Sequence, residues 1–255
     1  MPSSAAYRAS ECEELPDYKL AKNQVATNEN VELYEASTRG DLAKVKKALK
    51  NGASPNWFKK PEEGAAALHK ASEGGHASVA RELIQAGGVV DERLVTNHNT
   101  SLHLASAKGH VDAALALLDG QATINTGNAF GNTPLHEACV CGSEDMVKCL
   151  IKRGADINWA NTRDSTPLHF ASYGEGSSKS RIAICKLLLD EGADIDAKDS
   201  SGMAPLHIAG RDGDMELASF FLDKGASRHL EDGAGKTPYD YARLKDNAEM
   251  ASLLK

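Results

Sequence analysis

Histidine has the most accessible chemistry of any residue type in this chain, and five of the nine histidines recur at nearly regular spacing. An imidazole can act as a general acid or base near neutral pH, and its neutral form binds metal ions. The five recurring residues are His69, His103, His136, His169 and His207. Each directly follows a leucine, so all five hold one position of a repeated unit. Few histidines therefore remain that could form the centre of an active site.

A metal site would require histidine and cysteine side chains that converge on one point. His136, Cys139 and Cys141 are close in sequence, but residues two apart on a helix point in different directions. We therefore predict no metal site. The five cysteines are odd in number and unevenly spaced, unlike a disulfide framework, so we expect reduced thiols. The first residues also lack the apolar centre of a secretory signal, which favours the cytosol or the nucleus.

The sequence motifs of other common reactions are missing as well. The chain has no glycine-flanked nucleophile elbow, no phosphate-binding glycine loop, and no paired carboxylates outside positions that repeat elsewhere. The sequence therefore predicts a protein that is not an enzyme and that binds no cofactor.

A single unit of about 33 residues is copied along almost the whole chain. Its most regular feature is an alanine that follows a leucine or tyrosine by three residues: Ala36, Ala71, Ala105, Ala138, Ala171, Ala209 and Ala242. A unit of this size cannot bury its own apolar face, so neighbouring units must stack into a solenoid. A small side chain at this position lets the helices of adjacent units approach closely.

The fourth unit shows how each copy folds. Thr133 and Pro134 are typical of a helix start, where a hydroxyl caps the helix and proline fits the first turn. Gly142 separates this helix from a second one, which carries apolar residues on one face. Gly154 ends the second helix, and the following residues turn the chain back. Each unit is therefore predicted to contain two antiparallel helices and a protruding turn.

These residues resemble the ankyrin repeat. Thr-Pro-Leu-His is intact at 133–136 and 166–169, and the closing Gly-Ala-Asp-Ile-Asn/Asp stands at 154–158 and 192–196. The resemblance covers residues 31–255 and implies an all-α ankyrin-repeat solenoid of stacked helix-turn-helix units with protruding β-hairpin turns. Its seven repeats are expected near 31–63, 64–97, 98–130, 131–163, 164–201, 202–234 and 235–255. The resemblance also implies that the recurring histidines make structural hydrogen bonds near the hairpins.

The first thirty residues have little periodic apolar pattern, so we expect residues 1–30 to form a flexible arm. In the fifth repeat, an insertion within 174–181 is expected to lengthen the turn between the two helices. Its serines, Ser177, Ser178 and Ser180, are candidates for phosphorylation, although a neutral surface insertion is the alternative. Ankyrin proteins are also hydroxylated on a hairpin asparagine, and the resemblance extends this modification to Asn125 and Asn158.

The resemblance implies a scaffold or adaptor that binds one or more partner proteins through its concave face and hairpin tips. Phe130, Arg163, Tyr173 and Arg211 are predicted to form the centre of this site, because aromatic and arginine residues dominate interface energies. In the alternative, Phe130 and Tyr173 only pack on adjacent turns. The complete candidate set is Trp57, Phe58, Phe130, Val140, Cys141, Arg163, Tyr173, Met203 and Arg211. Trp57 and Trp159 follow the closing asparagine of their repeats, where a tryptophan is expected to stack on the next hairpin. Of the two, Trp57, beside Phe58 at a lengthened hairpin, is the better candidate for an exposed contact.

The chain could instead be an assembly chaperone or an inhibitory subunit of a larger complex or enzyme. A chaperone would dissociate from the finished complex, whereas a scaffold would stay in it. The formal net charge of -7 argues against nucleic acid as a partner, because such binding depends on neutralised phosphates. No stretch is apolar enough for direct membrane insertion. We expect a monomer when the protein is free.

Overall fold

The computed structural model describes residues 26–59 and 64–255, which form fourteen α-helices and one two-stranded sheet. The helices are α1 (Asn28–Arg39), α2 (Leu42–Lys50), α3 (Ala67–Glu73), α4 (Ala77–Gln85), α5 (Ser101–Ala107), α6 (Val111–Asp119), α7 (Pro134–Cys141), α8 (Glu144–Lys152), α9 (Pro167–Tyr173), α10 (Ser178–Asp190), α11 (Pro205–Asp212), α12 (Met215–Asp223), α13 (Pro238–Leu244) and α14 (Ala248–Leu254). Strands β1 (Phe58–Lys59) and β2 (Ala65–Ala66) pair antiparallel, with Phe58 opposite Ala66.

The helices form two layers. The first helices of successive repeats stack on one another, as α5 does on α7 and α7 on α9, and the second helices stack beside them. The two helices of each repeat also pack together, which joins the layers. The predicted solenoid of helix-turn-helix units is confirmed. None of the helices in the described part of the chain is long and apolar enough to cross a bilayer.

The alanine column lies where the first helices meet. Ala138 and Ala171 are fully buried, and so are the other members of the column: Ala36, Ala71, Ala105, Ala209 and Ala242. The leucines three residues earlier, such as Leu135 and Leu168, are buried in the same core. Close stacking of the first helices therefore follows from the small side chain at this position, as the sequence predicts.

Local sequence sets the ends of the helices. Thr133 is extended and Pro134 occupies the first turn of α7, where a missing N–H does no harm. Gly142 ends α7 with a φ of 74°, and a Cβ atom there would lie 2.8 Å from the backbone oxygen of Glu175. Only glycine satisfies both the left-handed backbone and the close approach.

Two boundaries differ from the sequence predictions. Helix α1 begins at Asn28, capped by the side chain of Thr27, so residues 28–30 belong to the first repeat. The rest of the predicted arm, residues 1–25, lies outside the described residues. The insertion in the fifth repeat lengthens the second helix rather than the turn that precedes it. Helix α10 has 13 residues, whereas α8 and α12 have 9. Its serine-rich composition suggested a loop, but Ser177 caps the added helical turn.

Candidate functional site

The hairpin tips repeat one hydrogen-bonded turn. The side-chain oxygen of Asn128 accepts hydrogen bonds from the backbone N–H groups of Phe130 and Asn132, at 2.9 and 3.1 Å. Asn161 does the same for Arg163 and Ser165, at 2.8 and 3.0 Å. The later hairpins use an aspartate at this position: Asp199 and Asp232. These turns hold the tip residues rigidly, because the asparagine or aspartate side chain of each turn accepts two hydrogen bonds from nearby backbone N–H groups.

Backbone hydrogen bonds link each tip to the next. The carbonyl of Phe130 accepts from the N–H of Thr162 at 3.0 Å, and the carbonyl of Arg163 accepts from the N–H of Ser200 at 2.8 Å. Phe130 and Arg163 therefore hold equivalent positions on neighbouring tips. Both side chains are exposed, and Phe130 keeps 60% of its surface accessible. The structure thus brings these two predicted site residues onto one edge of the array.

The recurring histidines join the repeats. In each, Nδ1 accepts a hydrogen bond from the backbone N–H at the start of its own helix, so the proton is on Nε2. For His136 the donor is Thr133, at 3.1 Å, and Nε2 donates to the carbonyl of Ser165 at 3.1 Å. The same pair of bonds is made by the rest of the series: His69, His103, His169 and His207. The structural role is confirmed.

Burial keeps these rings neutral. It lowers the pKa of His69, His103 and His136 to about 4, even though the backbone carbonyl that each ring contacts raises the pKa. Burial also lowers the pKa of His169 and His207. Neutral rings with both nitrogens engaged have no free lone pair for a metal or a proton transfer. In the part of the chain that the structure describes, no cluster of potential metal ligands occurs.

Tyr173 lies at the end of α9, with 42% of its surface exposed. Its ring centroid is 5.2 Å from that of Phe170, which in turn lies 4.9 Å from the ring of His136. Burial raises the pKa of the Tyr173 hydroxyl, the charge of Glu137 raises it further, and that of Arg163 lowers it. Tyr173 is therefore near both charged groups, and part of its ring is open to solvent.

Arg211 lies on α11, the first helix of the sixth repeat, at the position that corresponds to Tyr173 and Val140 in the preceding two. Its guanidinium pairs with the neighbouring Asp212, with Nε 2.8 Å from Oδ1, and 40% of its side chain is accessible. The partly exposed pair of Arg211 and Asp212 lies two repeats after α7, the helix that directly follows the hairpin tip of Phe130. We call the surface formed by Phe130, Arg163, Tyr173 and Arg211 the tip-and-helix face.

Two predicted site residues are buried, and their assignment was wrong. Trp57 keeps 6% of its surface exposed, because it packs edge-on against Tyr34 at 6.1 Å in a cluster with Ala65 and Leu94. Met203 keeps 7%; it ends the tip turn of its hairpin, and its carbonyl accepts the hydrogen bond from His169 at 3.0 Å. Neither side chain is available to a partner.

The remaining candidates are partly buried. Phe58 lies in β1, opposite Ala66. Val140 packs against the core, and Cys141 is partly accessible, while Cys139 is buried. The two cysteines therefore point in different directions, as expected for residues two apart on a helix.

Each asparagine predicted as a hydroxylation site holds the next repeat. Asn125 donates to the carbonyl of Gly154 at 3.2 Å and accepts from the N–H of Asp156 at 2.8 Å. Asn158 makes the corresponding bonds with Gly192 and Asp194, at 3.2 and 3.1 Å. An enzyme could not reach the side chains without opening these bonds, so the modification stays a prediction.

The serines of the insertion surround the start of α10. Ser177 is exposed, and its side chain accepts a hydrogen bond from the backbone N–H of Ser180 at 3.3 Å. Ser178 and Ser180 are partly buried. Phosphorylation of these serines also stays a prediction.

The sequence analysis did not identify Glu137. Its Oε1 accepts hydrogen bonds from the side-chain amides of Asn132 and Asn128, at 3.2 and 3.3 Å. Burial raises the pKa of this carboxyl, and the two amides lower it. A partial signal was present in the sequence: the two flanking repeats have the apolar Leu104 and Phe170 at this position, although the first two repeats have the charged Glu35 and Lys70.

The comparisons with known proteins agree with this geometry. The family model described as ankyrin repeats (3 copies) matches residues 33–128, 120–199 and 177–255. The chain is similar to a solved structure, the human ASB11 ankyrin repeat domain, with a TM-score of 0.76 and 26% identity over 88% of this chain and 97% of that one.

Curated relatives match a shorter stretch. The Arf-GAP with coiled-coil, ANK repeat and PH domain-containing protein 2 of Homo sapiens is 37% identical over 83 residues, which are 32% of this chain and 10% of that protein. The protein of the same name from Rattus norvegicus has the same identity over 83 residues, 32% of this chain and 11% of its own length. This chain thus spans about a tenth of these relatives. Because the family model covers nearly all of the described repeats, the chain belongs to the ankyrin repeat family.

Proposed function

We propose that this chain is a non-catalytic recognition module that binds a partner protein through the tip-and-helix face. Ankyrin repeats are generally protein–protein interaction modules. The observation that carries the proposal is Phe130, an aromatic ring that is 60% exposed on a tip held by hydrogen bonds from both neighbouring repeats. An exposed aromatic on a rigid support can bind at a low entropic cost.

The neighbours of Phe130 support the same surface. Tyr173 adds a second partly exposed ring, and Arg163 adds an unpaired cation among the described residues. Aromatic rings and arginines are the residue types that most often carry the binding energy of an interface. As a scaffold or adaptor, the protein would use this face without any chemistry of its own.

The test begins with affinity purification and quantitative mass spectrometry, comparing the wild type with the Phe130→Ala/Arg163→Ala variant. The affinity of each isolated partner is then measured for alanine at Phe130, Arg163, Tyr173 and Arg211 together. We expect a loss of at least about a hundredfold, because several interface anchors are removed. Val89→Ala is the matched control, since Val89 is also apolar and exposed but lies at the base of a hairpin. Unchanged affinity in the fourfold variant would place the binding site elsewhere.

The stoichiometry of the isolated complex separates a scaffold from an assembly chaperone. We expect the protein to stay in the finished assembly at a constant ratio. Its loss on completion of the assembly would favour the chaperone.

A further inference from the structure

The carboxylate of Glu137 has one oxygen engaged and one free. Both side-chain amides that reach it, from Asn128 and Asn132, bond Oε1. Within the described residues, Oε2 accepts no hydrogen bond, and it is not among the buried atoms that lack a partner. Oε2 therefore keeps some accessible surface, and its capacity to accept a hydrogen bond is unused within the described residues.

The negative charge of Glu137 has no counterion in the described ranges 26–59 and 64–255. Arg163, whose charge also acts on Tyr173, makes no ion pair with Glu137. Partly buried carboxylates are usually paired with a cation, because removing the charge from water costs free energy. This position thus lacks the partner that its environment favours.

Glu137 is linked to two residues of the tip-and-helix face. Asn128 and Asn132, the two amide donors, enclose the tip residue Phe130, so the carboxylate lies beneath that turn. The charge of Glu137 also acts on the hydroxyl of Tyr173, whose ring centroid lies 5.2 Å from that of Phe170. A cation beside a carboxylate and aromatic rings gains from both the ion pair and the cation–π attraction.

We propose that the partner protein inserts an arginine or lysine side chain against Oε2 of Glu137, at the tip-and-helix face. This inference rests on the proposed function and names the chemistry of the partner. Arginine fits best, because its planar guanidinium can stack on a ring while its N–H groups donate to a carboxylate.

The test uses a phage-displayed library of random peptides of about twelve residues, selected on the wild-type protein. We expect the selected peptides to share one arginine or lysine. Their affinity should fall about tenfold for Glu137→Gln, and by a similar factor when citrulline replaces the arginine. The two losses should not add, because they remove the same contact.

The Glu137→Gln variant keeps an oxygen for the two asparagine amides, so its urea unfolding midpoint should match the wild type. Glu216→Gln, on the outer helix α12, removes the same charge from an exposed site and should leave the affinity unchanged. Peptides that depend on Phe130 but bind Glu137→Gln equally well would overturn the cation inference and leave the proposed function standing. If the selection returns no peptide that weakens with Phe130→Ala, both proposals fail.

Discussion

Nε2 of His136 donates a 3.1 Å hydrogen bond to the backbone carbonyl of Ser165, which belongs to the next repeat. Its Nδ1 accepts a hydrogen bond from the N–H of Thr133 at the same distance. One buried ring therefore holds the start of its own helix and the neighbouring hairpin together. Because the hairpin carries Arg163 and the helix carries Glu137, this bond also sets the geometry of the tip-and-helix face.

We expect His136→Ala to lower the free energy of unfolding by about 3 kcal/mol. The change leaves the N–H of Thr133 and the carbonyl of Ser165 without their bonds, and each buried unsatisfied group costs about 1–3 kcal/mol. Urea denaturation followed by circular dichroism measures the loss. His229→Ala is the control, since His229 is exposed, and it should change stability by less than about 0.5 kcal/mol. Equal effects of the two variants would contradict the bridging role.

Stability should fall as the solution is acidified from about pH 6.5 towards pH 4. Burial lowers the folded-state pKa of His69, His103 and His136 to about 4, below the unfolded value of about 6.5. These rings therefore contribute stability that is fully present above pH 6.5 and is lost as pH falls towards the folded pKa. At pH 5 the unfolded chain binds more protons than the folded one.

The urea midpoint measured at intervals between pH 7 and pH 4 checks this dependence. His136→Gln should reduce the slope by about 1.4 kcal/mol per pH unit, the value for one proton. Carboxylates also titrate near pH 4, so the comparison with this variant isolates the histidine. An identical slope in the variant and the wild type would show that His136 does not titrate in this way.

Arg181 ties the insertion of the fifth repeat to the sixth. Its Nη2 lies 2.6 Å from Oδ2 of Asp214, whose other oxygen caps α12 through the N–H of Leu217. The two side chains are 19% and 7% exposed, so the pair is largely removed from water. We expect Arg181→Met to cost about 2 kcal/mol, because it leaves the aspartate charge buried and unpaired.

Chemical denaturation of Arg181→Met and of Lys179→Met separates this effect from a general loss of charge, because Lys179 is exposed on the same turn. Adding Asp214→Asn keeps the cap and removes the uncompensated charge, so it should restore part of the stability. Additive losses in the double variant would mean that the two groups do not interact.

Ala171→Leu should destabilise the array by about 1–3 kcal/mol. Ala171 is fully buried where α9 meets its neighbouring first helices, and a larger side chain there must displace packed atoms. Ala43→Leu on α2 is the control, because Ala43 is helical and exposed. Thermal or urea unfolding of both variants measures the loss. If Ala171→Leu is as stable as the wild type, the alanine column does not lie at the contact between the first helices.

The prediction of the array from sequence succeeded where the signal was local or periodic. The bounds of α7 follow from Thr133, Pro134 and Gly142, which act through neighbours within one helical turn. The alanine recurs in all seven predicted repeats and the bridging histidine in five of them, so the pattern indicated a shared environment for each position before any contact was known. Phe130 and Tyr173, predicted as the centre of a partner site, are both exposed, and their role in binding stays a prediction.

The tertiary structure alone decided the burial and the local structure of residues whose partners lie some thirty residues away in the chain. Trp57 is buried because Tyr34, from the first helix of its own repeat, and Leu94, from the next repeat, pack against it. The insertion continues a helix that is anchored to Asp214 in the next repeat. The composition of a segment does not reveal such contacts.

Glu137 shows the division most clearly. Its sequence position showed a charge between the apolar residues of the two flanking repeats, but not whether its oxygens would be engaged. That depends on where the turn from Asn128 to Asn132 lies relative to α7, which the folded array determines. The sequence by itself determined the repeat, its helices and their buried column, since these depend on spacing along the chain. Stacking decided which side chains stay open to a partner, since exposure depends on what the adjacent repeats cover.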